Sequence, residues 1–148
     1  MPNDELTAEQ VRDLRALAGA IIPASATYAV PGADDEKIFN DILRSLERDH
    51  ADVCRALAHL AALTGGAFAD LEPERRTEVA ATFRDVGGAP LTALVRVVLL
   101  CYYRDDRVMR SLGQEPRPPF PKGHVVEQGD WSLLDPVRKR PRMYREVD

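Results

Sequence analysis

The sequence predicts an all-α protein: a small bundle of about five to six helices followed by an extended, proline-rich C-terminal tail. Three observations predict it. Apolar residues recur at helical spacing through residues 1–113, glycine or proline interrupts each periodic run, and six of the eleven prolines fall in residues 114–148. The expected organisation is therefore a helical domain over 1–113 and a tail over 114–148 that wraps a partner.

The first helix opens on a T-x-x-Q capping box, Thr7 with Gln10, in which hydroxyl and amide satisfy open backbone donors. Val11, Leu14, Leu17, Ala18, Ile21 and Ile22 follow on one stripe. Pro23 ends the helix, since the residue before proline is pushed out of the α region. Ala24 to Ala33 contains Pro31-Gly32 and no helical pattern, and reads as a loop.

Asp34 or Asp35 can cap a second helix with Ile38, Phe39, Ile42, Leu43 and Leu46 on one face. A third runs from about Ala51 to Thr64 on Val53, Leu57, Leu60 and Leu63, and stops at Gly65-Gly66. A fourth begins near Pro73, a good first-turn residue, and presents Val79, Phe83 and Val86 before Gly87-Gly88. The fifth, Pro90 to about Arg104, is apolar almost all round, with Arg96 as the charge in its middle. Such a helix is expected to be surrounded by protein, either as the central core element or completed by a partner. Asp105 to Leu112 adds one or two turns before Gly113.

Beyond Gly113 neither helical nor strand periodicity survives, so an extended segment is expected, beginning with Pro116-Arg117-Pro118-Pro119-Phe120-Pro121. Disordered tails are poor in large apolar groups. This one carries Phe120, Val125, Val126, Trp131, Leu133, Leu134, Met143 and Tyr144. These side chains call for a surface, on the chain's own helices or on another protein, with the partner expected to take the larger share.

Composition narrows the function classes. The net charge of −4 lacks the basic excess of a dedicated nucleic-acid binder. The longest uninterrupted apolar run, Val97 to Tyr103, is far shorter than the roughly 20 residues a spanning helix needs. The opening Met1-Pro2-Asn3-Asp4-Glu5 has neither the basic nor the apolar region of a secretory signal. A soluble, cytoplasmic protein that binds neither membrane nor nucleic acid is expected. Cys54 and Cys101 each lie in an apolar helical stretch and read as two buried thiols.

No constellation for chemistry stands out. His50 and Cys54 share a helix face with His59 beyond them, but a structural zinc site wants four ligands in paired short spacings. Ser25, Ser45, Ser111 and Ser132 lack the strained, glycine-flanked turn of a serine nucleophile. Burial of Cys101 would raise its thiol pKa and blunt it. Asp34-Asp35 and Asp105-Asp106 stand at helix starts, where acids complement the dipole. Neither a G-x-G-x-x-G nor a G-x-x-x-x-G-K-[ST] loop is present. The expectation is no catalytic, metal or cofactor-binding residue in this chain.

The rival signal is the run Val137 to Arg145, which holds Arg138, Lys139, Arg140, Arg142 and Arg145 without an acid. It suits phosphates in a stand-alone helical regulator that binds nucleic acid through its C-terminus. Over residues 114–148, however, seven basic groups meet six acidic ones. A solvated or protein-facing cluster is the preferred reading.

The order of motifs carries a family resemblance. Leu6-Thr7-Ala8 opening a helix, then Ile21-Ile22-Pro23-Ala24 and a loop, resembles the gluconate 2-dehydrogenase subunit 3 family. Leu100-Cys101-Tyr102-Tyr103-Arg104-Asp105-Asp106-Arg107-Val108, with Leu112-Gly113 after it, is similar to that family's YY-x-D-x-x-V segment. Gly129-Asp130-Trp131-Ser132-Leu133-Leu134-Asp135-Pro136-Val137-Arg138 is similar to the tail of a cytoplasmic branch. The resemblance implies a small accessory subunit of a glucose-methanol-choline type oxidoreductase. Its large subunit would hold FAD and oxidise a sugar, polyol or other alcohol. Some relatives are exported on a twin-arginine signal, and no such motif stands before residue 20 here.

Both lines lead to one expectation: a non-catalytic subunit with no cofactor of its own, bound to a large FAD-binding partner in a hetero-oligomer. Phe120, Trp131 and Tyr144 are the expected aromatic contacts, with Arg138, Arg140 and Arg142 making charge-assisted bonds at the rim.

Overall fold

A computed structural model describes residues 6–118, 120–123, 125–141 and 143. The fold is all-helical: α1 Ala8–Ile21, α2 Glu36–Arg44, α3 His50–Thr64, α4 Pro73–Val86, α5 Ala89–Tyr103, α6 Asp106–Ser111 and α7 Asp135–Arg138. Single 3-10 turns at Glu47–Asp49, Phe68–Asp70 and Trp131–Leu134 join them. Among the described residues no strand forms; Ser25 and Val30 make one isolated antiparallel bridge across a turn. The chain divides into two compact units, Met1–Pro116 and Arg117–Asp148.

The helix ends follow local chemistry. Thr7 and Gln10 close the capping box on α1, with Gln10 N–H donating to the Thr7 hydroxyl at 3.2 Å and Thr7 N–H to the Gln10 amide oxygen at 2.9 Å. Asp35 caps α2, its carboxylate accepting from the N–H groups of Lys37 at 3.1 Å and Ile38 at 3.4 Å. Gly65 ends α3 at φ +68°, a left-handed conformation that costs glycine little. Pro73 occupies the first turn of α4.

The core of the helical unit is built around α5. Its inner face, Leu94, Val97, Val98 and Cys101, packs on α3 and α2, which supply Val53, Leu57, Leu60, Ile38 and Ile42. α1 lies across α3 and α4 and adds Leu14, Leu17 and Ala18. Each fully buried Leu, Ile or Phe contributes about 1.5–3 kcal/mol relative to exposure. Phe68, wholly buried, belongs to the 3-10 turn after α3, where Asp13 of α1 accepts from the Ala69 N–H at 2.8 Å. That bond explains a buried carboxylate on an otherwise apolar helix face.

The chain itself buries one face of α5, while Leu99, Leu100 and Tyr103 on its outer side are exposed, so of the two readings of this helix the wholly enclosed core element does not hold. Two further expectations are corrected. The C-terminal segment is not extended throughout. Asp130 caps the turn at Trp131–Leu134, and Pro136 sits in the first turn of α7, so local chemistry makes helical turns where no apolar period announces them. Cys54 is half-buried rather than buried; Cys101 is fully buried, and the two are not joined by a disulfide.

Candidate functional site

Within the helical unit the densest polar cluster sits where α5 turns into α6. Arg107 donates to Asp35 at 2.6 Å and 3.2 Å, and to Asp105 at 2.9 Å and 3.2 Å. The Asp105 carboxylate also caps α6 by accepting from the Arg107 N–H at 2.9 Å, and Lys37 lies 3.6 Å from it. The guanidinium bonds hold Asp35 below the ordinary carboxylate range and take Asp105 to about 2. Both carboxylates therefore remain anions at neutral pH and serve as acceptors rather than as proton donors.

The neighbouring turn is pinned in the same way. Tyr102 is buried and its hydroxyl donates to the Pro31 carbonyl at 3.2 Å, which ties α5 to the loop that follows α1. Tyr103 meets the Tyr102 ring edge-on at 5.3 Å but is itself exposed. Arg104 donates to Asp41 at 2.6 Å and to Ser45 at 2.5 Å, joining α5 to α2. Burial pushes the Cys101 thiol up, so it is a poor nucleophile at neutral pH. The segment Tyr102 to Val108, singled out by sequence, thus works as a clasp that fixes α2, α5, α6 and the loop before α2.

The other sequence candidates separate. His50 and Cys54 do share a face at the start of α3, with Sγ 3.7 Å from Nδ1, while His59 is exposed elsewhere on the helix. Among the described residues no group of three or more His, Cys, Asp or Glu side chains is arranged to hold a metal ion.

In the C-terminal unit Trp131 and Arg138 stand at opposite ends of one short helical stretch, with Leu133, Leu134 and Val137 between them. The Asp130 carboxylate accepts from the Ser132 N–H at 3.0 Å and from its hydroxyl at 2.6 Å, which sets the first turn. Arg138 pairs loosely with Asp135 at 3.3 Å. Trp131 is 63% exposed, Leu133 73% and Phe120 84%, and Arg140 is exposed as well. Arg142 and Tyr144, the remaining candidates, lie outside the described residues.

Sequence left the outer side of α5 open, as core or as a face that a partner completes. Leu91, Val95 and Leu99 follow one another every fourth residue, with Leu100 beside them, along a groove of about 540 Å³ that also holds Arg84 and Arg96. The signal was present in the helix's all-round apolarity, but it does not say which side the core claims.

Compared with known proteins, the chain matches no family model, no curated protein and no solved structure.

Proposed function

We propose that this chain is a non-catalytic small subunit that binds and stabilises a large FAD-dependent dehydrogenase or oxidase of the glucose-methanol-choline type. The carrying observation is the row of large apolar groups left in water by the C-terminal unit: Phe120, Val125, Val126, Trp131, Leu133 and Val137 are all more than half exposed. Exposing so many is costly for a chain that works alone, and patches of this kind mark interaction sites. Aromatic groups such as Trp131 and Phe120 are the usual anchors of an interface, and arginines such as Arg138 and Arg140 suit its rim.

The partner's chemistry rests on the sequence resemblance. FAD and the alcohol-oxidising site belong to the large subunit in this reading, and a sugar, polyol or other alcohol is the substrate class. The small chain supplies contacts that favour the folded, flavin-loaded partner, by the mass action that stabilises any protein whose ligand binds only its native state.

The test is co-expression with the product of the neighbouring reading frame, expected in this reading to be a large FAD-binding protein, comparing the full chain with a version ending after Gly113. The full chain is expected to co-purify and to raise flavin loading, and the shortened one to do neither. A shortened chain that still co-purifies with full flavin loading rules the C-terminal interface out. A second reading draws on the exposed Arg138, Lys139 and Arg140. Salt-dependent binding to generic DNA or RNA, abolished when Arg138, Arg140 and Arg142 are changed to Ala, would establish a nucleic-acid role instead.

A further inference from the structure

The stretch Trp131–Arg138 takes its shape from local bonds. The Asp130 carboxylate sets the first turn through Ser132, and Pro136 sits in the first turn of α7. At the far end the N–H groups of Lys139 and Arg140 donate to the carbonyls of Asp135 and Val137, each at 3.1 Å. An element shaped before it binds loses little conformational freedom on docking. Its large apolar groups share one side. Trp131 and Leu134 are three apart in a 3-10 turn, where such residues eclipse. Val137 continues the row in α7, and Leu133, four residues before it, lies alongside. All four are exposed and none belongs to the core. Ser132, Asp135 and Lys139, themselves three and four apart, take another side.

Charge has a direction along the same stretch. Asp130 and Asp135 stand in its first half, and Arg138, Lys139 and Arg140 at its end. Asp130 is committed to Ser132, and Arg138 to Asp135 at 3.3 Å. Lys139 and Arg140 are the surplus: among the described residues neither side chain has a hydrogen-bond or ion-pair partner. That direction discriminates among occupants. A lipid surface or a nucleic-acid backbone is anionic throughout, so it attracts Lys139 and Arg140 but repels Asp130 and Asp135 a few residues away. A protein cleft can be apolar along its floor and anionic at one end, and anchors on one helical side are what such a cleft takes. We infer that the Trp131–Leu134–Val137 face docks in an apolar cleft of a second, different polypeptide, with carboxylates at the end that receives Lys139 and Arg140. On the subunit reading, on which this inference rests, that polypeptide is the large flavoprotein.

The test is interferometry of the full chain on the purified product of the neighbouring reading frame. Leu134→Asp and Val137→Asp are each expected to weaken binding at least about tenfold. Pro136→Asp, which puts the same charge on the other side of the turn, changes it by less than about threefold. Lys139→Glu combined with Arg140→Glu weakens binding at least about tenfold at about 0.05 M salt, and less than about threefold at about 0.5 M. All five positions are exposed, so helix content and melting temperature hold in every variant.

Equal losses from the substitutions at 134, 136 and 137 overturn the docking face, and no loss from the paired change at 139 and 140 overturns the acidic end. Either result leaves the flavoprotein partner standing. A neighbouring product bound with the expected pattern but lacking FAD keeps the cleft and removes the flavoprotein. A full chain that does not bind the neighbouring product ends both. Val137-dependent binding to phosphatidylglycerol vesicles, to generic DNA or to a second copy in sedimentation would then name the occupant instead.

Discussion

Arg107 Nη2 lies 2.6 Å from Asp35 Oδ1, tying the start of α6 to the cap of α2 across 72 positions of sequence. The same guanidinium holds Asp105, whose side chain is only 3% exposed. One cation thus bridges two carboxylates at the junction of four segments, with Lys37 as the second positive charge 3.6 Å from Asp105, and the loop before α2 is fixed from both ends.

Arg107→Met is therefore expected to destabilise the helical unit by about 2–4 kcal/mol, because it leaves a buried anion with Lys37 as its remaining cation. Arg110→Met is the control. Its contact with Asp106 is exposed on both sides and 3.4 Å long, worth under about 0.5 kcal/mol. Urea unfolding of the full chain measures both. Equal losses would mean that Arg107 contributes no more than a surface pair.

The same cluster predicts acid sensitivity. Asp35 and Asp105 both have folded values below the ordinary 3.8, chiefly through the Arg107 hydrogen bonds, and Asp105 falls to about 2. A depressed carboxylate makes the unfolded chain the better proton acceptor, so the stabilisation is complete above about pH 5 and drains away as pH falls through 4 toward 2. For Asp105 alone the amount is on the order of 2 kcal/mol. Melting temperature should drop across that window, and Asp105→Asn should flatten the drop while lowering stability at pH 7. An unchanged pH profile in Asp105→Asn would place the acid sensitivity elsewhere.

Tyr102→Phe removes one buried hydrogen bond, to the Pro31 carbonyl, at a cost of about 1 kcal/mol. The freed acceptor belongs to the loop before α2, so limited proteolysis between Ala24 and Pro31 should speed up by more than global stability alone dictates. Tyr103→Phe, at an exposed ring, should change neither. Identical cleavage rates in the two variants would detach Tyr102 from the loop.

A fourth expectation concerns backbone approach. A Cβ at Gly32 would sit 3.0 Å from the Ala24 nitrogen and 3.2 Å from the Ile22 carbonyl oxygen, and against the Asp34 carboxylate. Backbone cannot swing aside as a side chain does. Gly32→Ala should cost about 1–3 kcal/mol by overpacking, whereas Gly66→Ala, with open space around it, should be near neutral by thermal denaturation.

Which parts of this were legible before the fold is itself physical. The Thr7–Gln10 box, the stop at Pro23, the cap at Asp34 or Asp35 (the structure uses Asp35) and the Gly65 terminus are local chemistry, and each marks an element end that the structure has. The stripes of α1 to α4 named most of the core, since a 3.6-residue period needs no tertiary knowledge. Phe68 escaped because a single 3-10 turn is too short to show a period. Arg107 with Asp35 escaped because nothing in sequence pairs charges that far apart. The turn at Trp131 escaped for a different reason: its Asp130 cap and Pro136 were readable, but proline density around them argued for extension.

The last prediction uses the single tryptophan of the chain, Trp131, as its own reporter. Its ring is 63% exposed, and its indole N–H donates to the Gln128 amide oxygen at 3.4 Å. In the isolated chain its fluorescence should be red-shifted and freely quenched by iodide. An anchor that enters an apolar pocket on a partner loses water from the ring, so emission should move to the blue and iodide should lose access. Burying an aromatic anchor contributes about 2 kcal/mol or more, so Trp131→Ala should weaken binding by at least about thirtyfold. If that partner is a flavoprotein, energy transfer should also quench the indole in proportion to flavin occupancy, and removing FAD should restore the blue-shifted signal. A blue shift that is insensitive to flavin would keep Trp131 at an interface and remove the flavin from its vicinity. An emission spectrum that stays red in the purified complex would take Trp131 out of the interface altogether.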